Sequence, residues 1–408
     1  MILKAKAVVT MEGEPIADGV VVIQGNRIVA TGMLADLEHS DTGPLIDLGD
    51  FVLMPGLINA HCHLDYTMMR HAISPPASFT AWVRRINALK RSLDSEDYLD
   101  AIARGFAELQ RWGTTTVCNI ESFPELMALM PSAPIRTWWF YEMIDIRHRI
   151  TTDDVIAGAL TFFQQHLDNH LGGFGLSPHA PYTASTALYQ LADECASIQP
   201  MPLTTHVAES REEFAMFQHA SGPMYDFIRA LDRPMDDCGD VTPFQLLWRK
   251  GAIDARWILA HMNELSEEDF ALLESLPKEG GPHIVHCPGS HQYFQHSRFP
   301  FRRLHEIGLN LCIGTDSLAS TDSLSLFCEL RKVRENEPWL SARELLCTVT
   351  VNPARALNRS LDLGRIIPGA LADLIAFPIS GAFANVLEAV IAYANPVPWM
   401  MINGQIIS

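Results

Sequence analysis

The chain has few basic residues and no long apolar run. It carries 30 lysines and arginines against 48 aspartates and glutamates, a formal net charge of −18, which disfavours binding to phosphates or anionic membranes. No segment offers the roughly 18 uninterrupted apolar residues of a membrane span, and residues 1–13 lack the basic start and apolar run of a signal peptide. We therefore expect a cytoplasmic protein that binds neither nucleic acid nor membrane.

Cysteine is present but not in a pattern that suggests cross-linking. The eight cysteines are scattered and include no C-x-x-C, so a disulfide framework is not expected. Hydrophobic residues make up 48% of the chain and charged residues 19%, which is typical of a globular protein and excludes a largely disordered one.

Short apolar runs alternate with longer amphipathic segments after residue 50, a pattern typical of parallel strands joined by crossover helices. Helices are predicted over Ser185–Ile198, Ser266–Leu276 and Ser323–Glu335. The eight predicted strands are Leu57–Ala60, Thr115–Ile120, Ile135–Ile144, Gly173–Leu176, Pro202–Thr205, Trp257–Ala260, His283–Val285 and Leu309–Ile313. Eight such units predict an α/β fold, a closed TIM-like (β/α)8 barrel.

Both ends of the chain carry hairpin signals instead. Apolar segments flank a Gly25-Asn26 turn near the start and an Asn403-Gly404 turn near the end. We expect a small β-sandwich domain assembled from the two ends, with residues 1–52 and 363–408 enclosing a barrel domain of residues 53–362.

Metal-binding residue types follow the predicted strands. His61 and His63 form an H-x-H motif after the first strand, His206 follows the fifth, and Asp316 follows the eighth. Loops at the carboxyl ends of barrel strands share one face, and residues spaced i, i+2 can point the same way. Imidazole and carboxylate are ligands of divalent metals, so we predict that these four residues bind one.

A gap in the lysine pattern bears on the number of metal ions. Dinuclear barrel hydrolases often use a carbamylated lysine of the fourth strand as a bridge, and no lysine occurs between Lys90 and Lys250. One divalent ion is therefore expected. Neutral imidazoles suit zinc, which we expect, and also iron, nickel or manganese.

Glu209 lies three residues after His206, where the fifth strand turns into its loop. A carboxyl group beside activated water can carry a proton to a substrate ring, which a tightly bound ligand cannot easily do. The alternative is that Glu209 is a first-turn acid of a helix that begins near Ser210.

Three more histidines, His179, His261 and His286, follow the fourth, sixth and seventh strands. Their positions direct them to the same face of the barrel. For His286 the alternatives of a site residue and part of a simple turn stay open.

Five motifs resemble the amidohydrolase superfamily, in the branch of cytosine deaminases, S-adenosylhomocysteine deaminases and chlorohydrolases. They are PGLINAHCH (55–63), GTTT (113–116), SPHAPY (177–182), THVAES (205–210) and GTDS (314–317). HCPGSHQYF (286–294) looks most like aminodeoxyfutalosine deaminases. It departs from them at Gly289, where we would expect arginine, while His291 stands where many related deaminases carry asparagine.

The resemblance implies a hydrolytic deaminase of an aminopurine nucleoside-like small molecule, 6-amino-6-deoxyfutalosine of menaquinone biosynthesis. It implies that the metal activates water, that His261 and Asp316 take up its proton, and that Glu209 protonates the ring nitrogen while ammonia leaves.

The same resemblance implies substrate contacts. His179 would hydrogen-bond the substrate and His291 would line the opposite wall. Candidates for contacts to the ribosyl or benzoate part are Trp82, Glu121, Glu142, Arg147 and Arg211.

Two alternatives remain beside this interpretation. The same machinery could act on adenosine, S-adenosylhomocysteine, guanine or pterin-type rings, or remove chloride from a triazine. A catalytically inactive scaffold barrel is disfavoured because every predicted ligand is present. The exposed helices expected around a barrel are compatible with a homodimer.

Overall fold

A computed structural model of the chain describes residues 1–36, 43–130, 132–146, 150–166, 171–277 and 280–407. Three β-sheets and the helices around them make up this part of the chain. The strands are β1 (Ile2–Lys4), β2 (Ala7–Val8), β3 (Ile16–Ala17), β4 (Gly19–Gln24), β5 (Arg27–Met33), β6 (Leu45–Asp47), β7 (Phe51–Pro55), β8 (Leu57–His63), β9 (Thr114–Glu121), β10 (Arg136–Met143), β11 (Gly173–Pro178), β12 (Leu203–Val207), β13 (Trp257–His261), β14 (His283–His286), β15 (Asn310–Ile313), β16 (Asp316–Ser317), β17 (Leu374–Pro378), β18 (Trp399–Ile402) and β19 (Gln405–Ile406).

The helices follow the barrel strands and mostly begin at side chains that accept hydrogen bonds from the first turn. Ser185 caps the first predicted helix and Ser266 the second, as their sequence positions suggest. The α-helices are α1 (Phe79–Lys90), α2 (Ser95–Arg111), α3 (Thr152–His166), α4 (Thr186–Ile198), α5 (Arg211–His219), α6 (Pro223–Arg229), α7 (Pro243–Arg249), α8 (Glu267–Glu274), α9 (Pro288–Phe294), α10 (Phe301–Ile307), α11 (Leu326–Asn336), α12 (Ala342–Cys347), α13 (Val351–Ala356) and α14 (Val386–Ile391).

The barrel is a parallel sheet in which neighbours in space are neighbours in sequence. Its order runs from β8 through β15, and the short β16 pairs with β8 to join the last strand to the first. All eight predicted barrel strands are confirmed. Several extend beyond their predicted ends, so that His61, His63, His206 and His261 lie inside strands rather than after them.

The other two sheets come from the chain ends. One has the order β5-β4-β1-β6 and the other β19-β18-β17-β7-β2-β3, so the second combines both termini. Buried side chains of both sheets, among them Leu3, Val21, Leu53, Leu374 and Met401, share one core. This arrangement agrees with the predicted β-sandwich.

The predicted hairpins form where the turn residues suggested. β4 pairs with β5 and β18 with β19, both antiparallel. Asn403 and Gly404 have φ angles of 51° and 77°, the left-handed pair that a two-residue hairpin turn requires.

The predicted domain limits of residues 52/53 and 362/363 remain a prediction. In the structure β7 belongs to the terminal sheet, and the barrel starts at Leu57 after Gly56. Within the described ranges, every helix is too short or too polar to cross a bilayer.

A buried ion pair ties the barrel to the terminal sheet. Arg136, at the start of β10, donates from Nε and Nη2 to Asp373 at 2.7 and 3.2 Å. The main-chain N–H of Asn403 donates to the same carboxylate at 2.7 Å. Only 8% of the Arg136 side chain and 4% of the Asp373 side chain is exposed.

We predict that Asp373→Asn lowers the free energy of unfolding by about 3–5 kcal/mol, because it leaves a buried guanidinium without a counter-charge. Urea unfolding followed by circular dichroism measures this. Asp226→Asn is the control, since it breaks an exposed pair with Arg229 and should change stability little. Equal effects of the two substitutions would contradict the prediction.

Candidate active site

Three histidines meet at the carboxyl ends of the first and fifth barrel strands. His61 and His63 lie two residues apart in β8 and so point to the same side of the strand. His206 lies near the end of β12. One ring nitrogen from each lies within 4.8 Å of the others. The Nε2 atoms of His63 and His206 are 3.1 Å apart.

The hydrogen bonds around these rings leave their inward nitrogens free for a cation. Nδ1 of His206 lies 2.8 Å from the carbonyl oxygen of His179 and donates to it, which directs the lone pair of Nε2 into the cluster. Nε2 of His61 is buried and has no hydrogen-bond partner among the described residues. A buried polar atom without a partner costs free energy, so this nitrogen fits a metal-ligand role.

Asp316 brings a carboxylate to the same place. Its Oδ1 lies 3.8 Å from Nε2 of both His61 and His63. Its Oδ2 accepts hydrogen bonds from the hydroxyls of Ser290 at 2.6 Å and Ser320 at 3.0 Å. The two serines therefore hold one oxygen and leave the other facing the imidazoles.

Burial sets the protonation of these groups. It lowers the pKa of His61 to about 3, with His206 contributing in the same direction. Burial also opposes ionisation of Asp316, but the imidazoles of His261 and His61 outweigh it and hold the pKa of this carboxyl below its ordinary value. The site thus presents a neutral imidazole at His61 and a charged carboxylate at Asp316, the forms that bind a cation.

Glu209 faces this cluster from the loop after β12. Its Oε1 lies 3.8 Å from Nε2 of His261, and the residue is 5% exposed. Burial first, then the nearby carboxyls of Asp316 and Glu213, raises the pKa of Glu209 well above its ordinary value. Glu209 is therefore suited to donate a proton near neutral pH.

The interpretation of Glu209 as a first-turn helix acid is wrong. The helix α5 begins at Arg211 with Ser210 as its N-cap, and its first-turn acids are Glu212 and Glu213. Glu209 precedes the cap and lies outside the helix.

The backbone around the site is strained at four residues that are not glycine. Ala208, His261, Met262 and Asp316 have φ angles of 52°, 75°, 51° and 59°. Side chains disfavour this left-handed region, and such residues persist where the surrounding structure enforces them, often at functional sites. Two of these residues, His261 and Asp316, and the residue after Ala208, Glu209, all line the same cavity.

A cavity of about 200 Å³ opens from the cluster towards α1 and α6. Its polar lining includes His63, Glu142, His179, Glu209 and Asp316. Its apolar lining includes Phe79, Trp82, Ile86, Ile144, Phe227 and Leu231. The arrangement suits a flat polar ring at the deep end and an apolar substituent towards the mouth.

Three of the predicted substrate contacts line this cavity, namely Trp82, Glu142 and His179. Nε2 of His179 is 4.0 Å from Oε1 of Glu142, and burial lowers the pKa of His179 to about 4, so the imidazole is neutral. Glu121 is fully buried at the end of β9, where it accepts a hydrogen bond from the N–H of Phe123 at 3.1 Å.

Other predicted contacts lie elsewhere. The Arg211 side chain is 70% exposed and donates to the hydroxyl of Ser297 at 3.0 Å, and Nδ1 of His291 lies 3.1 Å from Oδ1 of Asn263. Neither Arg211 nor His291 is among the described residues that line the cavity. Arg147 lies outside the described residues. Contacts of these three with a substrate stay a prediction.

The structure places His286 away from the three clustered histidines, and its two alternatives stay open. His286 ends β14 and stacks on Phe299 with ring centres 3.9 Å apart. Within the described part of the chain, it is not a member of the histidine cluster.

Among the cavity residues that the prediction missed are Tyr66 and Lys90. Nζ of Lys90 donates to the Tyr66 hydroxyl at 2.6 Å. A signal existed for Lys90: Trp82, Ile86 and Lys90 are spaced four residues apart along α1, and all three line the cavity.

Comparisons with known proteins identify the family and the relatives of this chain. The model of the amidohydrolase family matches residues 52–407. A 5-methylthioadenosine/S-adenosylhomocysteine deaminase of Pyrococcus furiosus is 28% identical over 371 residues, 88% of this chain and 83% of the relative. An aminodeoxyfutalosine deaminase of Deinococcus radiodurans is 28% identical over 339 residues, 80% of this chain and 78% of that protein. An adenosine deaminase of Xanthomonas campestris, solved with bound zinc, has a TM-score of 0.82 and 26% identity, covering 99% of this chain and 92% of that one.

We predict that His206→Ala removes most of the bound metal, because it deletes one imidazole of the buried cluster. Elemental analysis of the purified protein measures metal per chain. His219→Ala is the control, since His219 lies exposed at the end of α5. Full metal content in His206→Ala would show that the cluster does not bind the ion.

Proposed function

This chain belongs to the amidohydrolase family, and we propose that it is a metal-dependent deaminase of adenosine-like compounds. It is a hydrolase that acts on C–N bonds, as its deaminase relatives indicate. The observation that carries the proposal is the buried Glu209, whose carboxyl lies 3.8 Å from His261 and faces the same cavity as His63, His206 and Asp316.

The residues present fit a single divalent cation. His61, His63, His206 and Asp316 would hold it, since they offer three imidazole nitrogens and one carboxylate oxygen with few competing hydrogen bonds. Zinc is the ion we propose, and the zinc in the Xanthomonas campestris relative supports it. When bound, such an ion lowers the pKa of a water molecule to about 7 and so supplies hydroxide near neutral pH.

The protein side chains would then move the protons. Asp316 is ionised and His261 is neutral, so either can accept a proton from the attacking water. Glu209 would donate its proton to the ring nitrogen next to the carbon under attack. The proton taken up by Asp316 or His261 then passes to the amino group, the carbon–nitrogen bond breaks and ammonia leaves. The added hydroxyl gives its proton back to Glu209 as the ring carbon becomes a lactam carbonyl, so one water is consumed for each ammonia released.

For the physiological substrate we propose 6-amino-6-deoxyfutalosine. The Deinococcus radiodurans relative and the segment of residues 286–294 support this choice. The aromatic side chains of Phe79 and Trp82, which line the cavity, would suit the benzoate ring of that compound. The Pyrococcus furiosus relative supports a second candidate class, 5′-substituted adenosines.

A substrate panel tests this choice. We expect ammonia release to be fastest with 6-amino-6-deoxyfutalosine, compared with adenosine, 5′-methylthioadenosine, S-adenosylhomocysteine and guanine. A coupled ammonia assay at equal substrate concentrations measures kcat/KM. A higher kcat/KM with a 5′-thioadenosine would contradict the proposed substrate. If none of the compounds released ammonia, the deaminase proposal itself would be wrong.

We predict that Glu209→Gln retains metal but lowers kcat by about 10²–10⁴-fold, because an amide cannot deliver the proton. The control is Glu268→Gln, an exposed first-turn acid of α8. Ammonia release and elemental analysis of both variants check it. An unchanged kcat in Glu209→Gln would rule out this role.

A further inference from the structure

The main chain of Glu209 is held from both sides by side chains that do not line the cavity. The carboxylate of Glu213 accepts hydrogen bonds from the N–H groups of Ala208 at 3.1 Å and Glu209 at 2.7 Å. The amide nitrogen of Asn263 donates to the carbonyl oxygen of Glu209 at 3.0 Å. Glu213 is 0% exposed and Asn263 is 4% exposed.

Glu213 departs from the usual behaviour of an acid at the third helical position. In a capping box such an acid reaches back to the N–H of the N-cap residue. Glu213 interacts with the backbone of the N-cap Ser210 and also reaches beyond it, to the strained Ala208 and to Glu209. Because a buried carboxylate is costly unless its hydrogen bonds are satisfied, these bonds determine where it can lie.

His291 completes the arrangement on the other side. Since the amide nitrogen of Asn263 donates to Glu209, the amide oxygen is left to accept, and Nδ1 of His291 lies 3.1 Å from it. The main-chain N–H of Asn263 also donates to the carbonyl oxygen of Ala208 at 2.9 Å. The donors and acceptors then form one consistent chain from His291 through Asn263 to Glu209.

The loop has a reason to need this support. Ala208 has a φ angle of 52°, which the residue would not keep without external contacts. With that angle the Glu209 carboxyl lies 3.8 Å from His261. A relaxed backbone at Ala208 would turn the carboxyl elsewhere.

We propose that Glu213 and Asn263 are positioning residues that hold the backbone of Glu209 and so direct its carboxyl, and that His291 fixes the amide of Asn263. The proposal rests on the proposed proton-donor role of Glu209. It gives His291 a role that requires no contact with the substrate.

Asn263→Asp tests the clamp, by which we mean the hydrogen bonds from Glu213 and Asn263 to the backbone of residues 208 and 209. The substitution keeps the size of the side chain and the oxygen that faces His291 but removes the N–H group that donates to Glu209. We expect kcat to fall by about 10–100-fold, with KM and metal content little changed. Glu213→Gln should act in the same direction, since its NH₂ group cannot accept a hydrogen bond. The matched control is Asn352→Asp, which removes a similar bond to the carbonyl of Leu311, 2.7 Å away, at the start of β15.

A double-substitution cycle separates positioning from general destabilisation. If Asn263 acts through Glu209, adding Asn263→Asp to Glu209→Gln should leave the residual kcat unchanged. A further loss by the same factor as in the wild-type protein would overturn the proposal. So would loss of metal in the single variant.

A crystal structure of the Asn263→Asp protein tests the proposal without any assay. We expect the Glu209 carboxyl to move away from His261 while His206 keeps its position. A Glu209 carboxyl still about 4 Å from His261 would overturn the clamp. If no amine proved to be a substrate, the proposed function would fail, while this measurement would still decide whether the clamp exists.

Discussion

The site depends on the contact that closes the barrel between its first and last strands. Asp316 and Ser317 pair with Cys62 and His63, and the N–H of Thr315 donates to the carbonyl of His61 at 3.1 Å. A Cβ atom at Gly314 would lie 2.7 Å from that carbonyl oxygen, so only glycine lets the two strands approach this closely. The closure brings the carboxylate, some 250 residues later in the chain, beside the H-x-H motif.

Once the barrel is closed, exclusion of water explains most of the chemistry. The same burial lowers the pKa of the His61 imidazole and raises that of the Glu209 carboxyl, so both groups favour their neutral forms. Asp316 escapes this trend because its interactions with His261 and His61 and the hydrogen bond from Ser290 outweigh burial and keep the pKa of its carboxyl below its ordinary value. Different roles for two carboxyl groups thus follow from their neighbours.

The barrel and the candidate histidine cluster of His61, His63 and His206 were predictable from the sequence because both depend on local patterns. Apolar runs mark strands, and strand ends mark one face. The sequence did not predict the contacts of Glu213, Asn263 and His291. Those contacts depend on left-handed backbone angles at Ala208 and Met262, which no short sequence motif indicates. The sequence also did not predict that the Arg211 side chain is exposed, because this depends on the start of α5 at Arg211.

The strain at the site also constrains how the protein can change. Residues held in the left-handed region cost roughly 1–3 kcal/mol each, and four of them surround the cluster, so strand packing must offset several kcal/mol. His61, His63, His206 and His261 are themselves strand residues, and that packing fixes them. The apolar cavity wall is different, because Trp82 and Ile86 come from α1 and Phe227 from α6. Substitutions in those helices can therefore alter what the cavity accepts without moving the histidines.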